Sequence, residues 1–286
     1  MRVVWADAMG MCFGVRDALQ MAESLPNPAR VTIFGQLVHN EQIAADLRQR
    51  GFHELSESGR RGLPPTSEVL VTAHGVSDVE RRRLEAAGKS LIDTTCPLVR
   101  HVHATAQRMQ REGRFVIVIG RRTHVEVEGI VGDLIRYEVV EDAAEVSTYP
   151  SRRLGVVCQS TTAPADAERV RRAIEARNPD ADIRYEDTIC RPTRDRQQAA
   201  QRLLDQVEAV VVVGGRGSNN TLQLVRLAES RGVPVLHVQT ACDLDANWLS
   251  QFGLIGLTAG TSTPDGTVDD VYRALLQIES RSEACR

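Results

Sequence analysis

A threefold repetition marked by cysteine constrains this chain more than any other feature. Cys12, Cys96 and Cys190 stand 84 and 94 residues apart, about one small domain each. The last two close near-identical phrases, Asp93-Thr94-Thr95-Cys96 and Asp187-Thr188-Ile189-Cys190. Each phrase follows a short apolar or β-rich run and precedes a helix-like segment. Internal repetition of this kind predicts repeated structural units. Three units that each supply one thiolate at the same position would aim those thiolates at a common axis. A metal centre there would be held by three cysteines with one coordination position open.

The remaining punctuation follows the same period. After Cys12, a strand-like run over 31–38 ends in His39-Asn40, and a second over 69–73 ends in His74-Gly75. After Cys96, the run 115–119 leads through Gly120 to Thr123-His124-Val125-Glu126, and 154–157 leads to Gln159-Ser160-Thr161. After Cys190, the run 209–213 enters Gly214-Gly215-Arg216-Gly217-Ser218-Asn219-Asn220, and 254–257 enters Ala259-Gly260-Thr261-Ser262. Each third thus offers one cysteine and two polar strand-end loops. In open α/β sheets, ligands sit beyond the carboxyl ends of the strands. Amphipathic stretches at 17–24, 41–50, 98–111, 166–177, 194–207, 221–231 and 268–278 alternate with these runs. Continuous apolar runs such as Val116-Ile117-Val118-Ile119 and Val211-Val212-Val213 predict parallel strands covered on both faces. The repetition predicts an α/β fold built of three small units.

Composition narrows the function class. The chain has 286 residues, a net charge of −3 and 42% hydrophobic content, so no global basic field argues for nucleic acid. No apolar run approaches the length of a membrane span. The N-terminus lacks the character of a secretory signal. Six cysteines in such a chain predict a reducing cytoplasm and no disulfide framework.

Thiolate, not thiol, is the metal ligand. Three cysteines suit zinc with an open position, or a [4Fe–4S] cluster with one iron lacking a protein ligand. Close-spaced cysteine pairs, the usual zinc pattern, are missing. Buried, inert cysteines are the plainer alternative, and that reading is preferred for Cys158, Cys242 and Cys285. Among the histidines, His39, His74 and His124 each close a strand-like run and read as functional; His53, His101, His103 and His237 do not. Glu126, read as a loop residue, is a candidate proton donor, whereas Glu128 falls on a first helical turn. The 214–220 loop resembles a phosphate cradle, with Ser218 and Asn220 as neutral donors at a helix start. As a dinucleotide fingerprint it lacks its third glycine. Ser160, Thr161 and Ser262 add hydroxyls at equivalent tips. Arg121, Arg122 and Arg216 are read as solvent-facing.

With these residues in hand, the chain resembles the LytB/IspH family, the 4-hydroxy-3-methylbut-2-enyl diphosphate reductases of the non-mevalonate isoprenoid pathway. The likeness rests on an ordered set: Gly10-Met11-Cys12-Phe13-Gly14-Val15, Val38-His39-Asn40, Ala73-His74-Gly75-Val76, Asp93-Thr94-Thr95-Cys96-Pro97, His124-Val125-Glu126-Val127-Glu128-Gly129, Gln159-Ser160-Thr161, Cys190, Ser218-Asn219-Asn220 and the run 259–265. It implies three small α/β domains, spanning 14–95, 96–189, and 1–13 plus 190–286, in a pseudo-threefold trefoil around one [4Fe–4S] cluster held by Cys12, Cys96 and Cys190. His39, His74, His124, Ser218, Asn220 and Ser262 match diphosphate-binding positions, Asn219 lies among them, and Ser160 stands beside the substrate hydroxyl. Glu126 matches the acid of the proton relay. The implied reaction is a two-electron reductive dehydroxylation that yields isopentenyl and dimethylallyl diphosphates. Reduced ferredoxin or flavodoxin is the implied electron donor, with no nucleic-acid or membrane partner.

Several positions depart from the family pattern. Val125 stands where proline is common, Asn219 where serine or glycine is common, and Ser160 where threonine is common. Alternatives therefore stay open at this level: a divergent paralogue acting on another allylic diphosphate, a zinc-dependent hydrolase using Glu126, or a phosphate-binding module without catalysis.

Overall fold

The computed structural model describes residues 1–284, with side chains described through Ile278; Cys285 lies outside the described residues. The chain contains three four-stranded sheets, and all their pairings are parallel. It divides into two compact units.

The larger unit comprises 14–38 and 42–190 and holds two of the sheets. The first is built from β2 (Val31–Ile33), β3 (His53–Glu54), β4 (Glu68–Val71) and β5 (Ser90–Asp93), in the order β3-β2-β4-β5. The second is built from β6 (Phe115–Ile119), β7 (Tyr137–Val140), β8 (Arg153–Cys158) and β9 (Asp182–Tyr185), in the order β7-β6-β8-β9. The smaller unit comprises Met1–Phe13, His39–Glu41 and the chain from Arg191 onward. Its strands β10 (Ala209–Val213), β11 (Val235–Val238) and β12 (Leu254–Ala259) are completed by the N-terminal β1 (Arg2–Trp5), which pairs with β12. Read from the other edge, that order is β11-β10-β12-β1. All three sheets therefore share one topology, second-first-third-fourth, with the fourth strand of the last sheet supplied by the start of the chain.

Strand periodicity explains the packing. Along β6, Phe115, Ile117 and Ile119 face Val170 and Ile174 of α6 (Pro164–Arg177). Val116 and Val118 face Val102, Ala106 and Met109 of α4 (Pro97–Arg111). Along β10, Val211 and Val213 meet Val268, Val271 and Leu275 of α10 (Asp265–Ala284). Val210 and Val212 meet Ala200 and Leu203 of α7 (Arg191–Leu204) and Leu224 of α8 (Asn219–Ser230). Successive side chains of a strand point to opposite faces, so a continuous apolar run needs a helix on each side.

The expected run over 31–38 is shorter in the structure. β2 stops at Ile33 because the chain turns at Gly35, whose φ of 100° is a left-handed conformation suited to glycine. Two helices fall outside the expected amphipathic stretches, α3 (Asp78–Ala86) and α9 (Ala246–Leu249), and α5 (Val125–Val131) starts ahead of the helical turn expected at Glu128. Among the described residues, no helix is long and apolar enough to cross a membrane.

Candidate functional site

The three cysteines occupy one structural position. Each follows the fourth strand of its sheet, and each donates its backbone N–H to the carbonyl two residues past the third strand. Cys12 N donates to Thr261 O at 3.0 Å, Cys96 N to Ala73 O at 3.1 Å, and Cys190 N to Ser160 O at 2.9 Å. All three side chains are partly exposed, whereas Cys158 is buried on β8 and Cys242 is exposed.

The repeated phrase has a physical reason. Asp93 Oδ1 accepts from Thr95 N at 2.9 Å and from Thr95 Oγ1 at 2.5 Å, and Asp187 Oδ1 accepts from Ile189 N at 3.2 Å. The following threonine bonds back to the third strand: Thr94 Oγ1 to Val71 O and Thr188 Oγ1 to Cys158 O, both at 2.6 Å. An aspartate that ties down its own backbone two residues on makes a compact turn. That turn delivers cysteine to the helix start. Burial would raise the Asp93 carboxyl, but the Thr95 bonds, then Arg81 and Arg100, hold it below the usual carboxylate range. Cys96 is the N-cap of α4 with Pro97 next, and its sulfur makes no capping bond.

The same topology sets the other candidates. The order reverses between the first and third strands of each sheet, and ligands bind open α/β sheets at such a switch point. In the larger unit, His124 and Glu126 follow the first strand β6, Ser160 follows the third strand β8, and His74 follows the third strand β4. In the smaller unit, Ser218, Asn219 and Asn220 follow the first strand β10, and Ser262 follows the third strand β12.

Within the larger unit, Glu126 and Ser160 form a closed pair. Glu126 is 1% exposed. Its Oε1 accepts from Ser160 N at 2.7 Å, and its Oε2 accepts from Ser160 Oγ at 3.0 Å. Burial pushes this carboxyl up to about 7, against the opposing pull of the two Ser160 bonds. Glu126 lies in the first turn of α5, not in a loop as the sequence suggested. The helix starts early because His124 caps it, its Nδ1 accepting Glu126 N at 3.1 Å. An Nδ1 that accepts a backbone N–H carries no hydrogen, so the neutral ring bears its hydrogen on Nε2. Val125 takes the first helical position, where proline is tolerated because no N–H is needed. Glu128 shares that first turn but is exposed. His74 and His124 meet edge to face, with ring centroids 5.5 Å apart.

Within the smaller unit, His39 packs with the third sheet's loops. Its carbonyl accepts from Ser262 Oγ at 3.1 Å, while Asn40 Nδ2 donates to Ser262 O at 2.9 Å. Ser218 caps α8 by accepting Thr221 N. Asn220 is 1% exposed. Its Oδ1 accepts from Thr261 N at 3.0 Å, and its Nδ2 has no partner among the described residues. A buried amide donor without a partner is costly unless a ligand satisfies it. Arg216 is exposed, as expected, and so is Arg122, which donates to Val139 O and Glu145; Arg121 is half-buried.

Three contributors escaped sequence reading: Gly14, which clears space at the Cys96 sulfur, and the Asp93 and Asp187 turns. The turns had a visible signal, the repeated Asp-Thr-X-Cys phrase. Gly14 had none beyond its place two residues after Cys12.

A model of the LytB protein family matches residues 3–276. The chain belongs to the LytB family. The relatives of this LytB chain include a 4-hydroxy-3-methylbut-2-enyl diphosphate reductase of Methylibium petroleiphilum, 36% identical over 96% of this chain and 85% of that one. Another, from Anaeromyxobacter sp. (strain Fw109-5), is 34% identical over 95% of each chain. Among solved structures, the E-1-hydroxy-2-methyl-but-2-enyl-4-diphosphate reductase of Plasmodium falciparum superposes with a TM-score of 0.87 at 26% identity, covering 95% of this chain and 86% of that one. A second, the (E)-4-hydroxy-3-methyl-but-2-enyl diphosphate reductase that is the terminal enzyme of the non-mevalonate pathway, gives a TM-score of 0.66 at 29% identity, covering 96% of this chain and 99% of that one.

Proposed function

We infer that this LytB chain is a 4-hydroxy-3-methylbut-2-enyl diphosphate reductase. It converts the allylic diphosphate to isopentenyl and dimethylallyl diphosphates by two-electron reductive dehydroxylation. The observation that carries the site chemistry is Glu126: a fully buried carboxyl, gripped through both oxygens by Ser160, that still holds a proton near neutral pH. A binding module has no use for such an acid, whereas loss of water from an allylic alcohol needs one.

The cysteines fit an iron–sulfur cluster. Cys12, Cys96 and Cys190 are equivalent, partly exposed, and fixed through their own backbone N–H. We assign them one [4Fe–4S] cluster. When bound, it supplies electrons one at a time and Lewis acidity at the iron that no cysteine holds. Reduced ferredoxin or flavodoxin fits as the donor, and the reducing cytoplasm as the compartment. The larger unit is read as two repeats meeting near residues 95 and 96.

The protein's own groups do the rest. Glu126 delivers protons, and Ser160 keeps its carboxyl aimed while offering a hydroxyl beside the substrate's. His124 presents an Nε2–H, and Asn220 an amide N–H, to the diphosphate. His39, His74, Ser218, Asn219 and Ser262 complete the set. Directed hydrogen bonds to an anion are worth ~1.5–3 kcal/mol each, so neutral donors suffice to hold it.

Anaerobic purification followed by spectroscopy, with and without the hydroxylated diphosphate, tests this reading. A brown protein whose spectrum changes with substrate, and which forms both products under a one-electron reductant, is expected. A colourless zinc protein that hydrolyses the diphosphate would refute it.

A further inference from the structure

Arg196 is the one buried arginine of α7, 7% exposed. Its guanidinium serves backbone carbonyls. Nε and Nη2 both donate to Gly10 O, at 3.1 and 2.6 Å, and Nη1 donates to Pro192 O at 3.0 Å. Gly10 lies two residues before Cys12, and Pro192 lies two residues after Cys190. One cation therefore ties the approach to one cysteine to the first turn of the helix that follows another. Two residues of chain span at most ~7 Å.

Gly10 explains why the bond needs a fork. Its φ of 73° turns the chain just ahead of Cys12, and Arg196 takes up the carbonyl at that turn. A forked guanidinium with a rigid plane holds such a carbonyl from two directions, which a lysine's single point of charge does not. Burying a cation costs several kcal/mol, and apolar packing would serve stability alone at least as well.

We propose that Arg196 is a positioning residue for the metal centre: it fixes the Cys12 loop against the start of α7 and supplies a buried positive charge beside the cluster. This rests on the assignment of the cluster to Cys12, Cys96 and Cys190. Reduction adds negative charge to a cluster, so a nearby fixed cation favours the reduced state and raises the midpoint potential.

The test uses the full chain as wild type, Arg196→Lys and Arg196→Gln, purified anaerobically. Iron per chain and midpoint potential are measured on the loaded proteins. Amide hydrogen exchange over residues 9–12 is measured on the metal-free proteins. Arg196→Gln should shift the midpoint to more negative values. Arg196→Lys should stay near wild type in potential, because it keeps the charge. Both variants should exchange about tenfold faster over residues 9–12, since the forked bonds are lost. Unchanged potential in Arg196→Gln, or equal shifts in the Lys and Gln variants, would overturn the electrostatic role. Unchanged exchange in Arg196→Lys would overturn the clamp, and this variant decides the matter if Arg196→Gln does not fold. A wild type that binds no iron would refute the cluster assignment instead, while the exchange measurement still judges the clamp.

Discussion

Gly14 makes room for the sulfur of Cys96. A methyl group on its Cα would come within 2.5 Å of Cys96 Sγ and 3.2 Å of its Cβ. Gly14 is buried in the first turn of α1 (Phe13–Glu23), where only hydrogen leaves the sulfur its place.

Gly14→Ala is expected to lower bound iron without unfolding the protein. The overpacking cost of ~1–3 kcal/mol is partly offset by ~1 kcal/mol of helix propensity gained. Iron per chain and thermal unfolding of the metal-free protein give the two readings. Full iron loading would show that the Cys96 sulfur can move freely.

Glu126→Gln keeps the size and polarity of the side chain but removes the proton. Turnover should fall ~10²–10⁴-fold while the substrate still perturbs the spectrum. Glu128, exposed on the same turn, should tolerate Gln. Inactive Glu128→Gln beside active Glu126→Gln would identify the other carboxylate as the acid.

The raised pKa of Glu126 also makes a stability prediction. Its folded value of about 7 exceeds the ordinary 4.5, so the folded state binds the proton more tightly than the unfolded chain. The associated stability is fully present below pH 4.5 and is lost as pH rises through 7. Its size is roughly 3 kcal/mol. Denaturant titrations of metal-free wild type and Glu126→Gln between pH 4.5 and 8 should diverge, with wild type losing ground as pH rises. Parallel curves would mean the carboxyl is already ionised when folded.

Alanine at Cys12, Cys96 or Cys190 should remove most of the iron, because each supplies one of three ligands. Alanine at Cys158, Cys242 or Cys285 should not, although Cys158→Ala loses core contacts. Iron retained in Cys96→Ala, or lost in Cys242→Ala, contradicts the ligand assignment.

Asn220→Asp preserves the acceptor for Thr261 N and replaces the unpartnered amide with an anion. Binding of inorganic diphosphate should weaken at least tenfold, about 1.4 kcal/mol, with iron content unchanged. His74→Ala should act in the same direction, and Arg216→Ala, at an exposed position, much less. Dissociation constants that rise only for Arg216→Ala would move the phosphate site elsewhere.

Much of this protein was legible in the sequence because repetition is linear. The Cys96 and Cys190 phrases, the apolar runs Phe115–Ile119 and Ala209–Val213, and the polar loops after them lie at matching offsets. Parallel strands covered on both faces leave continuous apolar runs, so β6 and β10 were found to the residue. Short edge strands such as β3 and short helices such as α9 carry too few core residues to announce themselves.

By itself the sequence determined the fold class, the three equivalent cysteines and the set of polar loops, because each is written in local pattern and spacing. Tertiary structure alone decided that His39 packs with Ser262. It also decided that Ser160 closes on both oxygens of Glu126, and that Arg196 reaches Gly10 across 186 residues. The reason is physical. Directed bonds and burial depend on which backbone atoms meet in space, and a proton held near pH 7 on Glu126 follows from that enclosure, not from any feature of its neighbours in the chain.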